Sequence, residues 1–129
     1  KVVQGQWPLT GRILLTGACG QVGQELLPAL RAAYGPESVI ASDVRPPPPA
    51  VCESGPFVPL DVTEYTELAS IVTSRRIDTI VHLAALLSAT GEKNPQLALA
   101  VNNMGVTNVL EVARQFGLRI FSPSTIAVF

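Results

Sequence analysis

Charge and aromatic side chains are both scarce in this 129-residue chain. Charged residues make up 15% and Phe, Trp and Tyr together 5%, while 9 Lys and Arg against 10 Asp and Glu leave a net charge of −1. A chain so nearly neutral has no electrostatic footprint for nucleic acid or for an anionic membrane surface, and neither is expected as a partner. Cysteine is limited to Cys19 and Cys52. Their positions give no metal-ligand spacing and no disulfide framework, and Cys19, inside a glycine turn, reads as a small packing residue. No metal site is expected. Long apolar runs are missing too. Ile80 to Leu87 is the longest and is interrupted by His82, far short of the roughly 20 residues that cross a bilayer. Residues 1–11 have neither the apolar core of a signal peptide nor the Arg-rich amphipathic pattern of a transit peptide. They read as an N-terminal extension to a domain spanning 12–129. What the chain does have is apolar material, 47% of its residues, enough to bury one sizeable core.

A short apolar strand, Arg12 to Thr16, runs into Thr16-Gly17-Ala18-Cys19-Gly20-Gln21-Val22-Gly23. Each glycine has a physical task in that spacing. Gly17 lets the chain turn sharply off the strand, Gly20 leaves room for backbone to approach a pyrophosphate, and Gly23 lets the next helix pack close. The free N–H groups and the positive dipole end of that helix would hold the phosphates. A second strand, Val39 to Ser42, ends at Asp43, twenty residues past Gly23. An acid there accepts hydrogen bonds from an adenosine ribose and repels a 2′-phosphate, so the expected cofactor is NAD.

Strand and helix alternate along the rest of the chain. A helix is expected from about Gln21 to Tyr34, with Val22, Leu26, Leu27, Leu30 and Ala33 on its apolar stripe and a kink from Pro28. Gly35-Pro36 ends it. Pro46 to Pro49 read as a stiff extended spacer. Phe57 to Leu60 is a third strand, placed near an edge by its proline. Thr63 to Ser74 is an amphipathic helix, and Thr79 to Ala84 a strand apolar on both faces. Pro95 to Phe116 is a long helix closed by Gly117, and Arg119 to Ser122 begins a fifth strand. This order points to an α/β fold, a doubly wound parallel sheet of Rossmann type with helices on both faces, running as far as a fifth strand.

Such sheets bind ligands beyond the carboxyl ends of their strands. The candidate cofactor residues are therefore Gly17, Cys19, Gly20, Gln21, Val22 and Gly23, then Asp43, Val44 and Arg45, Asp61 and Val62, and Leu83, Ala84 and Ala85. Asp61 could meet the adenine amine, and Asp61 or Thr63 could equally cap the next helix; both can hold together. Arg45 could clamp a 2′-phosphate, but Asp43 weighs against NADP. His82, mid-strand in a buried run, reads as a satisfied core histidine rather than a base. Asn102 and Asn103 sit inside a helix that disfavours them, so one of them serves backbone or water near the cofactor.

These residues resemble a family. The glycine motif, His82-Leu83-Ala84-Ala85, Asn102 ahead of Gly105, and Ser122-Pro123-Ser124-Thr125 are similar to the extended short-chain dehydrogenases/reductases. Ser42-Asp43-Val44-Arg45, Ser54-Gly55-Pro56-Phe57-Val58, Ala85-Leu86-Leu87-Ser88-Ala89 and Pro123-Ser124-Thr125-Ile126-Ala127-Val128-Phe129 resemble the short-chain type of L-threonine 3-dehydrogenase. The resemblance implies NAD-dependent oxidation of L-threonine to 2-amino-3-oxobutanoate, in threonine catabolism toward glycine. It implies Thr125, with Ser124 second, as the hydroxyl that orients the substrate oxygen, and Ser88 as a contact to the substrate amino acid; Ser88 could instead satisfy local backbone. The family's Tyr-x-x-x-Lys pair is expected downstream of Phe129, because neither Tyr34 nor Tyr65 has a Lys four residues on. The stretch to Phe129 alone is expected to be inactive. A homodimer is implied, in the mitochondrial matrix if the source is eukaryotic and in the cytoplasm otherwise. A nucleotide-sugar epimerase or dehydratase of the same family, and a non-catalytic NAD-binding module, remain as alternatives.

Overall fold

The computed structural model of the protein describes residues 12–83 and 95–121. Five strands, β1 (Arg12–Thr16), β2 (Val39–Asp43), β3 (Phe57–Pro59), β4 (Ile77–His82) and β5 (Arg119–Phe121), form one sheet in the order β3-β2-β1-β4-β5. Every neighbouring pair is parallel. Helices connect them: α1 (Gln21–Tyr34), α2 (Pro49–Glu53), α3 (Tyr65–Ser74) and α4 (Pro95–Phe116). The fold is the expected doubly wound Rossmann type.

The period-two geometry of a strand explains why it is two-faced. Ile13, Leu15, Val39, Ala41 and Val81 point to one side and pack with Leu27 of α1 and Val51 of α2. Leu14, Ile40, Val58 and Ile80 point to the other and meet Leu68 and Val72 of α3 and Val109 and Val112 of α4. Covered on both sides, β1 and β2 carry unbroken apolar runs, as a central parallel strand must.

Several boundaries differ from expectation. In α1 the buried positions are Gly23, Leu27 and Arg31, with Leu26 and Leu30 half-buried. Val22 and Ala33, assigned to the apolar stripe, are exposed. The helix is rotated because its N-terminal turn must press glycine, not valine, against the sheet. Pro49 is not part of an extended spacer. It opens α2, where a missing N–H costs nothing, behind an extended Pro48. Helix α3 begins at Tyr65 rather than Thr63, since Asp61 to Glu64 form a tight turn of their own. Strand β4 starts at Ile77 and ends at His82, displaced from the expected 79–84 by its pairing of Ile77 with Arg12. β3 is an edge strand, as its proline required.

Sequence periodicity gave no warning of Arg31, which is 4% exposed. Its Nε and Nη2 both donate to the Val39 carbonyl (3.3 and 3.0 Å), Nη2 also to Pro56 O (2.5 Å), and Nη1 to Val51 O and Ser54 Oγ (3.0 and 2.6 Å). All five guanidinium donors are used. Among the described residues no carboxylate shares the site, so neutral oxygens solvate the charge, and burial lowers its pKa from the ordinary value. A Cβ at Gly55 would lie 2.7 Å from the guanidinium carbon, which is why glycine stands there. Arg31 thus ties α1 to β2, α2 and the start of β3 at the amino edge of the sheet. Lysine, with three donors, cannot serve these acceptors. Arg31→Lys is expected to destabilise the protein by roughly 2–4 kcal/mol in urea unfolding; an unchanged midpoint would refute the role.

Candidate functional site

The carboxyl ends of β1, β2 and β4 converge where the glycine loop crosses from β1 to α1. Gly17 takes a positive φ of 70°, the turn that only glycine makes without strain. Gly23 is needed for packing. A Cβ there would sit 2.3 Å from Gly17 O and 2.7 Å from Ala18 Cα. Gly20 is different. Its backbone is ordinary extended chain (φ −76°, ψ 175°), and a Cβ would meet only Arg45 Nη2 at 3.3 Å and Gly17 O at 3.4 Å. The surrounding protein hardly needs a glycine at 20, so the space above it is available to a ligand.

The N-terminus of α1 opens onto that space. Its N-cap is Gly20, no side chain caps it, and no acid stands in its first turn. The first backbone bond of the helix runs from Gln24 N–H to Gly20 O, so the N–H groups of Gln21, Val22 and Gly23 precede the helix ladder. Gln24 braces the loop by donating Nε2–H to Cys19 O (2.8 Å).

Asp43 closes β2 beside this loop and is 6% exposed. Its Oδ2 accepts from Cys19 N–H (2.9 Å) and Arg45 Nη2 (3.2 Å). Its Oδ1 accepts from Arg45 N–H (3.0 Å) and Arg45 Nε (3.2 Å). Burial pushes the carboxyl pKa up, but the bonds from Arg45 and Cys19 and the Arg45 charge outweigh it and hold the group below its ordinary value. The Cys19 thiol faces the Arg45 and Pro46 carbonyls at 3.8 Å. Burial, then Asp43, raises its pKa, which fits a packing residue rather than a nucleophile. Val44 is exposed and lines an open cleft of 720 Å³ with Pro59, Asp61 and Ile71.

Asp61 turns the chain after β3. Its Oδ1 accepts from Thr63 N–H (3.0 Å) and Thr63 Oγ1 (2.6 Å), bonds that close the turn rather than cap the helix: α3 starts at Tyr65 behind Glu64 with no side-chain cap, so the expected cap by Asp61 or Thr63 is not formed, while Oδ2 accepts nothing from the described residues. The Val62 carbonyl accepts from Asn108 Nδ2 (2.8 Å). Gly105 lets α4 come this near, since a Cβ there would lie 2.8 Å from Val62 Cγ2. Asn108 is the amide that braces this end of α4, and Asn103 is exposed; nothing in the spacing singled Asn108 out. Asn102 lies in α4, its side chain outside the described residues. His82 is 2% exposed. Its Nδ1 shares a 2.8 Å hydrogen bond with Thr16 Oγ1, which also accepts from Leu83 N–H (3.1 Å). It is the satisfied core histidine expected. Ala84, Ala85, Ser88, Ser124 and Thr125 lie outside the described residues. So does the extension 1–11. Among the described residues no group of His, Cys, Asp and Glu could hold a metal, and no helix is long and apolar enough to cross a membrane.

A sequence model of the NAD dependent epimerase/dehydratase family matches residues 13–129. The chain belongs to that family. NAD is its cofactor, and the uncapped α1 terminus, the space over Gly20 and the acid ending β2 fit a dinucleotide. The mitochondrial L-threonine 3-dehydrogenase of Bos taurus is 50% identical over 118 residues, covering 92% of this chain and 32% of the relative. A human relative named inactive L-threonine 3-dehydrogenase is 49% identical, covering 92% and 51%. The crystal structure of L-threonine dehydrogenase from Clostridium difficile superposes with a TM-score of 0.80 at 45% identity, over 87% of this chain and 35% of that one. The chain thus spans a third to a half of the length of such relatives.

Two outcomes follow from this geometry. Gly20→Val should leave the thermal unfolding midpoint of the full-length protein close to wild type while abolishing NAD binding by calorimetry. Gly23→Ala should lose roughly 1–3 kcal/mol of stability by overpacking. Retained NAD affinity in a folded Gly20→Val would overturn the phosphate-loop assignment. Burial lowers the pKa of His82 from 6.5 to about 4. Between those values the unfolded chain binds a proton that the folded chain refuses. Stability therefore falls as pH drops from 6.5 to about 4, by on the order of 3 kcal/mol. In His82→Asn, chemical unfolding across the same window should lack that loss.

Proposed function

We propose that this chain is the cofactor-binding part of an NAD-dependent oxidoreductase that oxidises the β-hydroxyl of L-threonine to 2-amino-3-oxobutanoate. The observation that carries the cofactor role is the carboxyl edge of the sheet, where an uncapped helix terminus faces the space over Gly20 with Asp43 beside it. Support for threonine comes from the identity of about half the residues with dehydrogenases of that substrate.

The chemistry divides between residues. Backbone N–H groups of Gln21, Val22 and Gly23 take the pyrophosphate, Asp43 and Val44 the ribose, and Asp61 and Val62 the adenine. Leu83, Ala84, Ala85 and Asn102 line the way to the nicotinamide, which when bound supplies the hydride acceptor. Thr125, with Ser124 beside it, orients the substrate hydroxyl, and Ser88 meets the amino acid backbone. Deprotonation of that hydroxyl belongs to a Tyr-Lys pair after residue 129. Tyr65 gives its hydroxyl to Gln115, and Tyr34 ends α1. In a eukaryotic source the protein would work in the mitochondrial matrix, as a homodimer.

The human relative named inactive is nearly as similar over this stretch, so turnover has to be measured. The full-length protein should reduce NAD with L-threonine and not with a nucleotide sugar. Thr125→Val should lower kcat by roughly 10- to 1,000-fold, about 1.4 to 4 kcal/mol, with little change in NAD affinity. An unchanged kcat beside a lowered melting temperature would make Thr125 a helix cap. NAD binding without threonine-dependent reduction would overturn the substrate.

A further inference from the structure

The open cleft that Val44 lines holds 720 Å³, the scale of a hollow that encloses a whole small ligand rather than a single base. Its two walls differ in chemistry. On the strand side stand Val44, Pro59 and Leu60, all apolar; on the helix side stand Thr66, Glu67 and Ser70 of α3. Thr66 and Ser70 are four residues apart, so they and Glu67 share one flank of that helix. Another flank, with Leu68 and Val72, goes into the core. β3 is the last strand of the sheet on this side, so no further strand among the described residues closes the cleft. Asp61, which follows β3, lines it as well. Oδ1 of Asp61 is taken by Thr63, and Oδ2 accepts nothing from the described residues. Neither Asp61 nor Glu67 has a cation paired with it among those residues, where the ion pairs are Arg45 with Asp43 and Arg114 with Glu111.

We infer that this cleft is a subsite beyond the adenine, and that it takes a short amine-bearing chain carried on the adenine N6. The inference rests on the NAD reading, which gives the ribose to Asp43 and Val44 and the adenine to Asp61 and Val62. Val44 and Asp61 belong to both places, so a base held there has the cleft at its amine edge. A substituent on that amine runs out toward α3 instead of meeting a wall. Its methylene carbons lie along Val44 and Pro59, which lose apolar surface to water in the empty cleft. An ammonium group at its end meets the Glu67 carboxylate and the unused oxygen of Asp61, with the Thr66 and Ser70 hydroxyls as further acceptors. A carboxylate in the same place meets like charge. The adenine end of the crevice is therefore open to extended dinucleotides and selective for those that carry positive charge.

The test uses full-length protein and three probes, NAD, N6-(2-aminoethyl)-NAD and N6-(2-carboxyethyl)-NAD, titrated by calorimetry. The wild type should bind the aminoethyl probe about 2- to 5-fold more tightly than NAD, the scale of an exposed ion pair, and the carboxyethyl probe more weakly than NAD. Glu67→Gln should narrow that gap. Ser70→Trp fills the cleft from an exposed position of α3. It should weaken the aminoethyl probe about 10-fold or more while NAD stays within about twofold of its wild-type affinity. Glu67→Gln, nearly isosteric and also on the exposed flank, keeps the test decisive should the tryptophan form fail to fold. Equal binding of the two extended probes to the wild type, or a gap that Glu67→Gln leaves unchanged, overturns the inference while leaving the NAD reading intact. So does a folded Ser70→Trp that weakens NAD and the aminoethyl probe alike. Absence of NAD binding to the wild type would instead overturn the reading on which it rests.

Discussion

Helix α1 can approach β1 only because Gly23 carries no side chain. A single methyl group at position 23 would press into the Gly17 carbonyl at 2.3 Å, so the contact admits no alternative residue without displacing the helix. At the other end of α1, the Arg31 guanidinium binds carbonyls of Val39, Val51 and Pro56. The helix is thereby pinned to the sheet at both edges. One end is fixed by close packing of backbone on backbone, the other by a charge shared among neutral oxygens. A rigid α1 aims its unpaired N–H groups at one place, and preorganised donors bind an anion without an ordering cost at the moment of binding.

Local charge matters in this chain because there is so little of it. Asp43 and Arg45 form a partly buried pair in an otherwise near-neutral chain. Their hydrogen bonds join the glycine loop to the end of β2, together with the Ala18 N–H bond to Ser42 O. The His82 ring, by contrast, is pushed toward its neutral form by burial, with no acid among the described residues acting against it. It serves β1 and β4 as a polar tie to Thr16. The same strand run that carries a histidine into the core ends on Leu83, itself buried in the cluster beneath α1.

Local regularities determine a great deal of this fold. Strand and helix alternation, the glycine spacing and the acid twenty residues on are chemical requirements of a dinucleotide crevice, and each is written in adjacent residues. The limits of α1 and α4 follow from glycines at 35 and 117 with positive φ of 99° and 71°, which stop a helix wherever they occur. The proline of β3 placed that strand at an edge for an equally local reason: it lacks the donor a central strand needs.

Contacts between distant residues decided the rest. Which face of α1 turns inward depended on glycine packing against β1, and that overrode an apolar stripe including Val22 and Ala33. That Pro49 opens a helix depended on Val51 having a core to enter. Arg31 and Asn108 carry their roles through carbonyls that become neighbours only when the sheet assembles, across 20 and 46 residues. The pairing of Asp43 with Arg45 is the sharpest instance. The sequence by itself determined that an acid and a cation stand two residues apart at the end of a strand. Only the tertiary structure aligned both with Cys19 N–H, because the glycine loop had first to be folded over the end of β2.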